Sequence, residues 1–173
     1  MIVVLIGYMA SGKSTIGRIL AKKLNYDFLD LDDYIEEKEN APISTIFQLH
    51  GEIAFRKLET HCLNELLSHT SNIVLSVGGG TPCYGNNMNV ILNTANAKSF
   101  YLKASVPTLV SRLKNEKSKR PLIAHIETEA MLTEFIAKHL FERSQFYGLA
   151  EFTVTTDHKS EMDIVEELIL KLF

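Results

Sequence analysis

Residues 7–15 read Gly-Tyr-Met-Ala-Ser-Gly-Lys-Ser-Thr, a G-x-x-x-x-G-K-[ST] spacing carried by Gly7, Gly12, Lys13 and Ser14. An apolar β-branched run, Ile2 to Ile6, precedes it, and an amphipathic stretch from Lys13 to Leu24 follows. In that strand–loop–helix setting the spacing suits phosphate chemistry. The backbone N–H groups of Ala10, Ser11, Gly12, Lys13, Ser14 and Thr15 can wrap phosphate oxygens, assisted by the positive end of the new helix. Lys13 brings an ammonium to the β- and γ-phosphates, and Ser14 offers its hydroxyl to Mg²⁺. The chain is expected to bind a nucleoside triphosphate together with Mg²⁺.

Two classes of NTP chemistry remain, hydrolysis by a switch or motor and transfer to an acceptor. The guanine-reading N-K-x-D is absent, and the apolar run 73–77 ends in Gly78, Gly79 and Gly80 where a motor would carry a carboxylate. Acids cluster instead at Asp30, Asp32 and Asp33, after the second apolar run. Ligands of open α/β sheets bind beyond the carboxyl ends of the strands, so this cluster belongs beside the phosphates. Asp30 and Asp32, two residues apart, could support the metal and meet an acceptor hydroxyl. The competing reading makes all three acids the cap and first turn of the next helix, where negative charge is favoured. Asp33 is given only that role. The glycine triplet lacks a following Lys and Ser/Thr, so it is not a second phosphate loop. It is expected either to let backbone approach the acceptor, with the Gly79 N–H as donor, or to form a strained turn.

The elements that must position these groups alternate along the chain. Short apolar runs occur at 2–6, 27–30, 73–77, 98–103 and 152–156, with helical spacing at 13–24, 51–69, 107–116, 127–147 and 161–173. Near-continuous apolar strands alternating with helices predict an α/β fold, a parallel five-stranded sheet covered on both faces as one three-layer domain over 1–173. A length of 173 residues, 46% of them apolar, is enough for one core. A net charge of −3 argues against a nucleic-acid partner. The lone cysteines, Cys62 and Cys83, read as reduced thiols, and no run reaches the ~20 apolar residues of a membrane span, which makes the cytoplasm the expected location. The histidines, among them His50, His61, His125 and His158, lack metal spacing and read as surface groups. The lysine-rich stretch around 114–126 is either a solvated loop or a mobile lid whose cations close over phosphates.

With the phosphate loop, D-L-D at 30–32, G-E-I-A-F-R-K-L-E at 51–59, the glycine triplet and K-R-P-L at 119–122 in this order, the chain resembles shikimate kinases over nearly its whole length. The resemblance implies a P-loop, nucleoside-monophosphate-kinase-like fold, with a lid at about 114–126 and an acceptor-binding segment at about 32–62. It implies ATP-dependent, Mg²⁺-assisted phosphorylation of the 3-hydroxyl of shikimate in aromatic amino acid biosynthesis, by a monomer. It assigns Arg56 and Arg143 to the acceptor's carboxylate, a partner suited to planar guanidinium groups. Asp32 is assigned to the acceptor hydroxyls and a base role, Asp30 and Ser14 to the metal, and Arg120 to the transferring phosphoryl group. Glu59 would orient Arg56, or the two could be an ordinary i, i+3 surface pair. Phe47 and Phe55 would line the acceptor pocket or simply be core. Arg112 and Lys159 would border adenine. Two other readings compete: a kinase of another hydroxy acid such as gluconate, and a nucleotide-binding module without catalysis.

Overall fold

The computed structural model describes residues 1–69, 72–116 and 122–173. Its strands are β1 (Ile2–Ile6), β2 (Asp27–Asp30), β3 (Ile73–Ser76), β4 (Ala97–Lys103) and β5 (Phe152–Thr155). Its helices are α1 (Lys13–Leu24), α2 (Leu31–Glu39), α3 (Ile43–His69), α4 (Asn87–Asn93), α5 (Val106–Leu113), α6 (Glu129–Tyr147) and α7 (Glu161–Leu172). The strands lie in the order β2-β3-β1-β4-β5, all parallel among the described residues. Each expected strand is present within a residue of its expected ends.

The sheet is buried on both faces, as its apolar runs require. Every residue of β1 and β3 is buried. Successive side chains point to opposite faces. Ile2, Val4 and Ile6 accordingly join Ile35, Leu63, Leu75 and Ile136 on one face. Val3 and Leu5 join Ile16, Leu20, Phe100 and Leu168 on the other. Asparagine ends two helices by adopting the left-handed conformation, Asn25 after α1 and Asn40 after α2. A Ser160–Asp163 capping box starts α7.

One helix differs from expectation. The helical spacing from Gly51 predicts a start there, but helix already begins at Ile43, whose N–H donates to the Glu36 carboxylate at 2.8 Å. Gly51 is instead a break inside the segment, with φ 77° and ψ 172°. That conformation suits a residue without Cβ. No helix among the described residues is long and apolar enough to cross a membrane.

The strand order sets up the site. β3 lies between β1 and β2, in a register that pairs Leu5 with Ser76 and Ser76 with Asp30. The segments leaving these three strands, Gly7 onward, Val77 onward and Leu31 onward, therefore start side by side at one rim. Helix α1 must pack closely to hold the first of them there. A Cβ on Gly17 would sit 2.4 Å from the Phe28 ring and 3.1 Å from Leu5 Cδ1. Gly17→Ala is thus expected to destabilise the fold by about 1–3 kcal/mol, read as a lower midpoint in thermal denaturation. An unchanged midpoint would mean that the helix has slack against the sheet.

Candidate active site

The loop after β1 curls as phosphate binding needs. Ala10 takes φ 61°, Gly12 takes φ 103°, and the Ser11 N–H donates to the Tyr8 carbonyl at 3.1 Å. A side chain at Gly12 would be strained in that conformation, which accounts for glycine there. Lys13 Nζ donates back to the carbonyls of Gly7, at 2.8 Å, and Tyr8, at 3.1 Å. Its ammonium is thereby folded over the loop it would share with a phosphate.

Across the rim, Asp30 has two partners. One carboxylate oxygen accepts the Asp32 N–H at 3.1 Å, making Asp30 the N-cap of α2, and the other accepts the Ser14 hydroxyl at 3.2 Å. Both readings of Asp30 therefore hold together: the cap fixes its carboxylate and leaves the second oxygen facing Ser14. A hydroxyl and a carboxylate oxygen at that separation form a hard-oxygen pair suited to Mg²⁺. A cleft of about 480 Å³ runs along this rim, lined by Ala10 through Thr15, Asp30, Asp32, Gly78, Gly79, Arg112 and Lys159. Arg112 reaches from α5 to donate to the Ala10 carbonyl at 2.9 Å. Lys159, on the loop before α7, pairs with Glu167 at 2.6 Å.

Beyond the cleft the glycine triplet meets two arginines. A Cβ on Gly80 would lie 2.8 Å from Arg56 Nη2, one on Gly79 3.4 Å from Arg143 Nη1, and one on Gly78 3.3 Å from Asp32 Oδ1. None of the three has positive φ among the described residues. Positive φ is thus not the reason for three glycines: Arg56 leaves no room for a Cβ at Gly80, Thr81 and Asp32 crowd one at Gly78, and one at Gly79 would be in ordinary contact. Gly79→Val would push its branches against Arg143, Tyr147 and the Gly7 carbonyl. It is expected to raise the acceptor KM about tenfold or more and the ATP KM less than about twofold, read by steady-state kinetics with each substrate varied. Equal effects would return the triplet to a purely structural role.

Arg56 is held on several sides. Its Nη1 donates to Glu59 at 2.9 Å, its guanidinium lies 3.8 Å above the Tyr84 ring centroid, and Phe55 lies at 5.2 Å. Glu59 is only 1% exposed and also accepts the Thr81 hydroxyl at 2.6 Å. Arg56–Glu59 is therefore a hydrogen-bonded pair with a buried carboxylate and a half-buried guanidinium, and not a surface one. Burial alone would lower the Arg56 pKa, but Glu59, Tyr84 and Glu52 together outweigh it and the net shift is upward. Arg56 Nε is buried without a hydrogen-bond partner, 3.6 Å from Glu52.

Asp32 is the most perturbed acid. Burial, then the neighbouring Asp30 and Glu59 carboxylates, push it up to about 6 against the opposing pull of Lys13. That value lies near the operating pH of a general base. Asp33 carries first-turn charge on α2, as expected.

Phe55 is 3% exposed and Phe47 stacks on it, centroids 4.4 Å apart, so both belong to the core beneath Arg56. Arg120 lies outside the described residues, as do the other residues of 117–121 within the stretch expected to be a lid. On the described side of that stretch, Ile123 and Ile126 are buried and anchor the chain before α6. His50, His61, His125 and His158 are exposed. Sequence reasoning overlooked Tyr8, Thr81, Tyr84, His139 and Tyr147. The Tyr8 hydroxyl lies 3.3 Å from His139 Nδ1, with Arg143 above the Tyr8 ring at 5.6 Å. A signal existed for the α6 residues, since His139 and Tyr147 stand one turn before and after Arg143 and share its face.

Residues 9–173 match the family model described as shikimate kinase. The chain is 46% identical over 171 residues to the shikimate kinase of Flavobacterium psychrophilum, covering 99% of this chain and 98% of the relative. It is 48% identical over 167 residues to that of Flavobacterium johnsoniae, covering 96% of each. Among solved structures, shikimate kinase from Bacteroides thetaiotaomicron superposes with a TM-score of 0.91 at 34% identity, covering 99% of this chain and 98% of that one. Shikimate kinase from Acinetobacter baumannii in complex with shikimate superposes at 0.87 with 31% identity, covering 99% and 92%.

Proposed function

Because the chain belongs to the shikimate kinase family, we propose that its site transfers the γ-phosphoryl group of ATP to the 3-hydroxyl of shikimate. The observation that carries this reading is the pair of arginines converging on a side-chain-free backbone next to a half-buried carboxylate. Arg56 and Arg143 border Gly80 and Gly79, while Asp32 borders Gly78. A small ring bearing one carboxylate and several hydroxyls needs that combination. The guanidinium groups take the acid, and Asp32 takes hydroxyls.

On this reading the loop from Ala10 to Thr15 holds the phosphates and Lys13 balances charge on the β- and γ-groups. Ser14 and Asp30 would hold Mg²⁺, Asp30 in part through water, and the metal would supply neutralisation of phosphate charge. The acceptor hydroxyl oxygen forms the new P–O bond as the bond between the γ-phosphorus and its bridging oxygen breaks. ADP leaves, and the hydroxyl proton passes to Asp32. Arg120 is assigned to the transferring phosphoryl group and Glu59 to holding Arg56. Arg112 and Lys159 are assigned to the nucleotide side. Phe47 and Phe55 act from below, as the apolar bed of Arg56.

An acceptor panel tests the substrate. ADP release with Mg-ATP is measured with shikimate, gluconate and unsubstituted cyclohexene carboxylate. Turnover confined to shikimate is the expected result. Faster turnover with gluconate would reassign the acceptor while keeping the kinase.

A further inference from the structure

Tyr147, the last residue of α6, has no part in the assignments above, yet it joins two of their elements. It is fully buried, and its hydroxyl donates to the Gly79 carbonyl at 2.5 Å. Arg143 stands on the same side of Gly79: its Nη1 and the Tyr147 hydroxyl lie 3.4 and 3.5 Å from where a Gly79 Cβ would be. A carbonyl can only accept, so the phenol is the donor in its bond to Gly79. Its ring packs on Tyr101, centroids 5.1 Å apart and tilted by 43°. Burial pushes the phenol well above its ordinary range, against the opposing Arg143 charge, so its donor proton stays in place.

The consequences reach the backbone. The Gly78 carbonyl accepts from Thr81 at 3.0 Å and the Gly80 carbonyl from Cys83 at 2.8 Å. With Gly79 held by Tyr147, all three carbonyls of the triplet are engaged inside the protein. The Gly79–Gly80 peptide is trans, so fixing its carbonyl also fixes the Gly80 N–H in the opposite direction.

We propose that Tyr147 is a positioning residue for the acceptor: its hydroxyl ties the Gly79–Gly80 peptide to α6 and so fixes that peptide beside the Arg143 guanidinium, as a cradle for the acceptor's carboxylate end. It acts through that peptide and touches neither phosphate nor metal. This rests on the reading that Arg143 and the triplet seat shikimate, and the test keeps the two apart.

Tyr147→Phe removes the hydroxyl and keeps the ring. The shikimate KM should rise about five- to tenfold, with kcat and the ATP KM changed less than about twofold. Tyr101→Phe removes a hydroxyl from the packing partner and leaves the Tyr147–Gly79 bond untouched, so it should leave both KM values unchanged. With ¹⁵N-glycine labelling the protein has nine glycines to label. The Gly79 and Gly80 amide signals should move in the Phe variant before any ligand is added. In the wild-type protein the same two signals should respond to shikimate alone, an arm that holds even if the variant does not fold; no response there overturns the proposal. Unchanged shikimate KM in Tyr147→Phe, or equal rises in both KM values, also overturns it. Arg143→Ala run alongside separates the levels. If it too leaves the shikimate KM unchanged, the acceptor reading itself has failed; if only Tyr147→Phe is silent, the positioning role alone falls.

Discussion

Asp32→Asn should be nearly inactive and, above neutral pH, more stable than the parent. The inactivity follows from losing the group assigned to receive the hydroxyl proton, an effect of about 10²- to 10⁴-fold on kcat. The stability follows from linkage. Burial and the nearby carboxylates of Asp30 and Glu59 push Asp32 up to about 6 in the folded protein, from 3.8. A raised carboxyl pKa means that the folded state binds this proton more tightly than the unfolded chain. Its favourable contribution is complete below pH ~4 and is lost as the pH rises through ~6. At pH 8 the ionised carboxylate therefore opposes folding by about 1–3 kcal/mol, a burden asparagine does not carry. Thermal denaturation from pH 4 to 8 checks this: the midpoint of Asp32→Asn should exceed that of the parent at pH 8 and converge with it near pH 4. The parent's kcat/KM for shikimate should fall as the pH drops below about 6, because a base must be deprotonated to act. A variant less stable at every pH would mean that the carboxylate serves structure and not chemistry.

Arg56→Ala is expected to weaken shikimate binding by about 100-fold or more and to change ATP binding less than about threefold. It should also destabilise the protein by about 3 kcal/mol, because Glu59 is 1% exposed and would lose its charge partner. Adding Glu59→Gln should recover most of that stability, since the amide can still accept from Thr81. It should recover none of the affinity. Titration calorimetry with shikimate and with an ATP analogue, paired with thermal denaturation, separates the two effects. If the double variant regains shikimate affinity, the carboxylate of the acceptor is bound elsewhere.

Much of this was legible before any coordinates. The strands were readable because β1 and β3 are buried on both faces and their sequences are almost unbroken apolar runs. The phosphate loop was readable because its spacing is local: Gly7, Gly12, Lys13 and Ser14 lie within eight residues. Asp30 and Asp32 were readable from their place after the second strand, although only the structure gives Asp30 both its cap and its Ser14 contact.

What escaped notice depends on contacts between residues distant in sequence. The Thr81–Glu59 bond spans 22 residues and the Tyr147–Gly79 bond 68, and no spacing rule links them. The bend at Gly51 was hidden because the residues on both sides are helical, and one glycine inside a helical pattern reads equally as a start. The purpose of three consecutive glycines also needed coordinates. Their φ values are ordinary among the described residues, and only the positions of Arg56 at Gly80 and of Thr81 and Asp32 at Gly78 explain missing Cβ atoms.

The central claim is that this chain moves the γ-phosphoryl group of ATP onto the 3-hydroxyl of shikimate. ³¹P NMR of a reaction containing the purified protein, Mg-ATP and shikimate tests it directly. The expected result is loss of the γ-phosphate signal matched by a new phosphomonoester signal coupled to the proton on carbon 3 of the ring, with ADP formed in equal amount. Inorganic phosphate as the sole new product, or no consumption of ATP beyond a shikimate-free control, would contradict it.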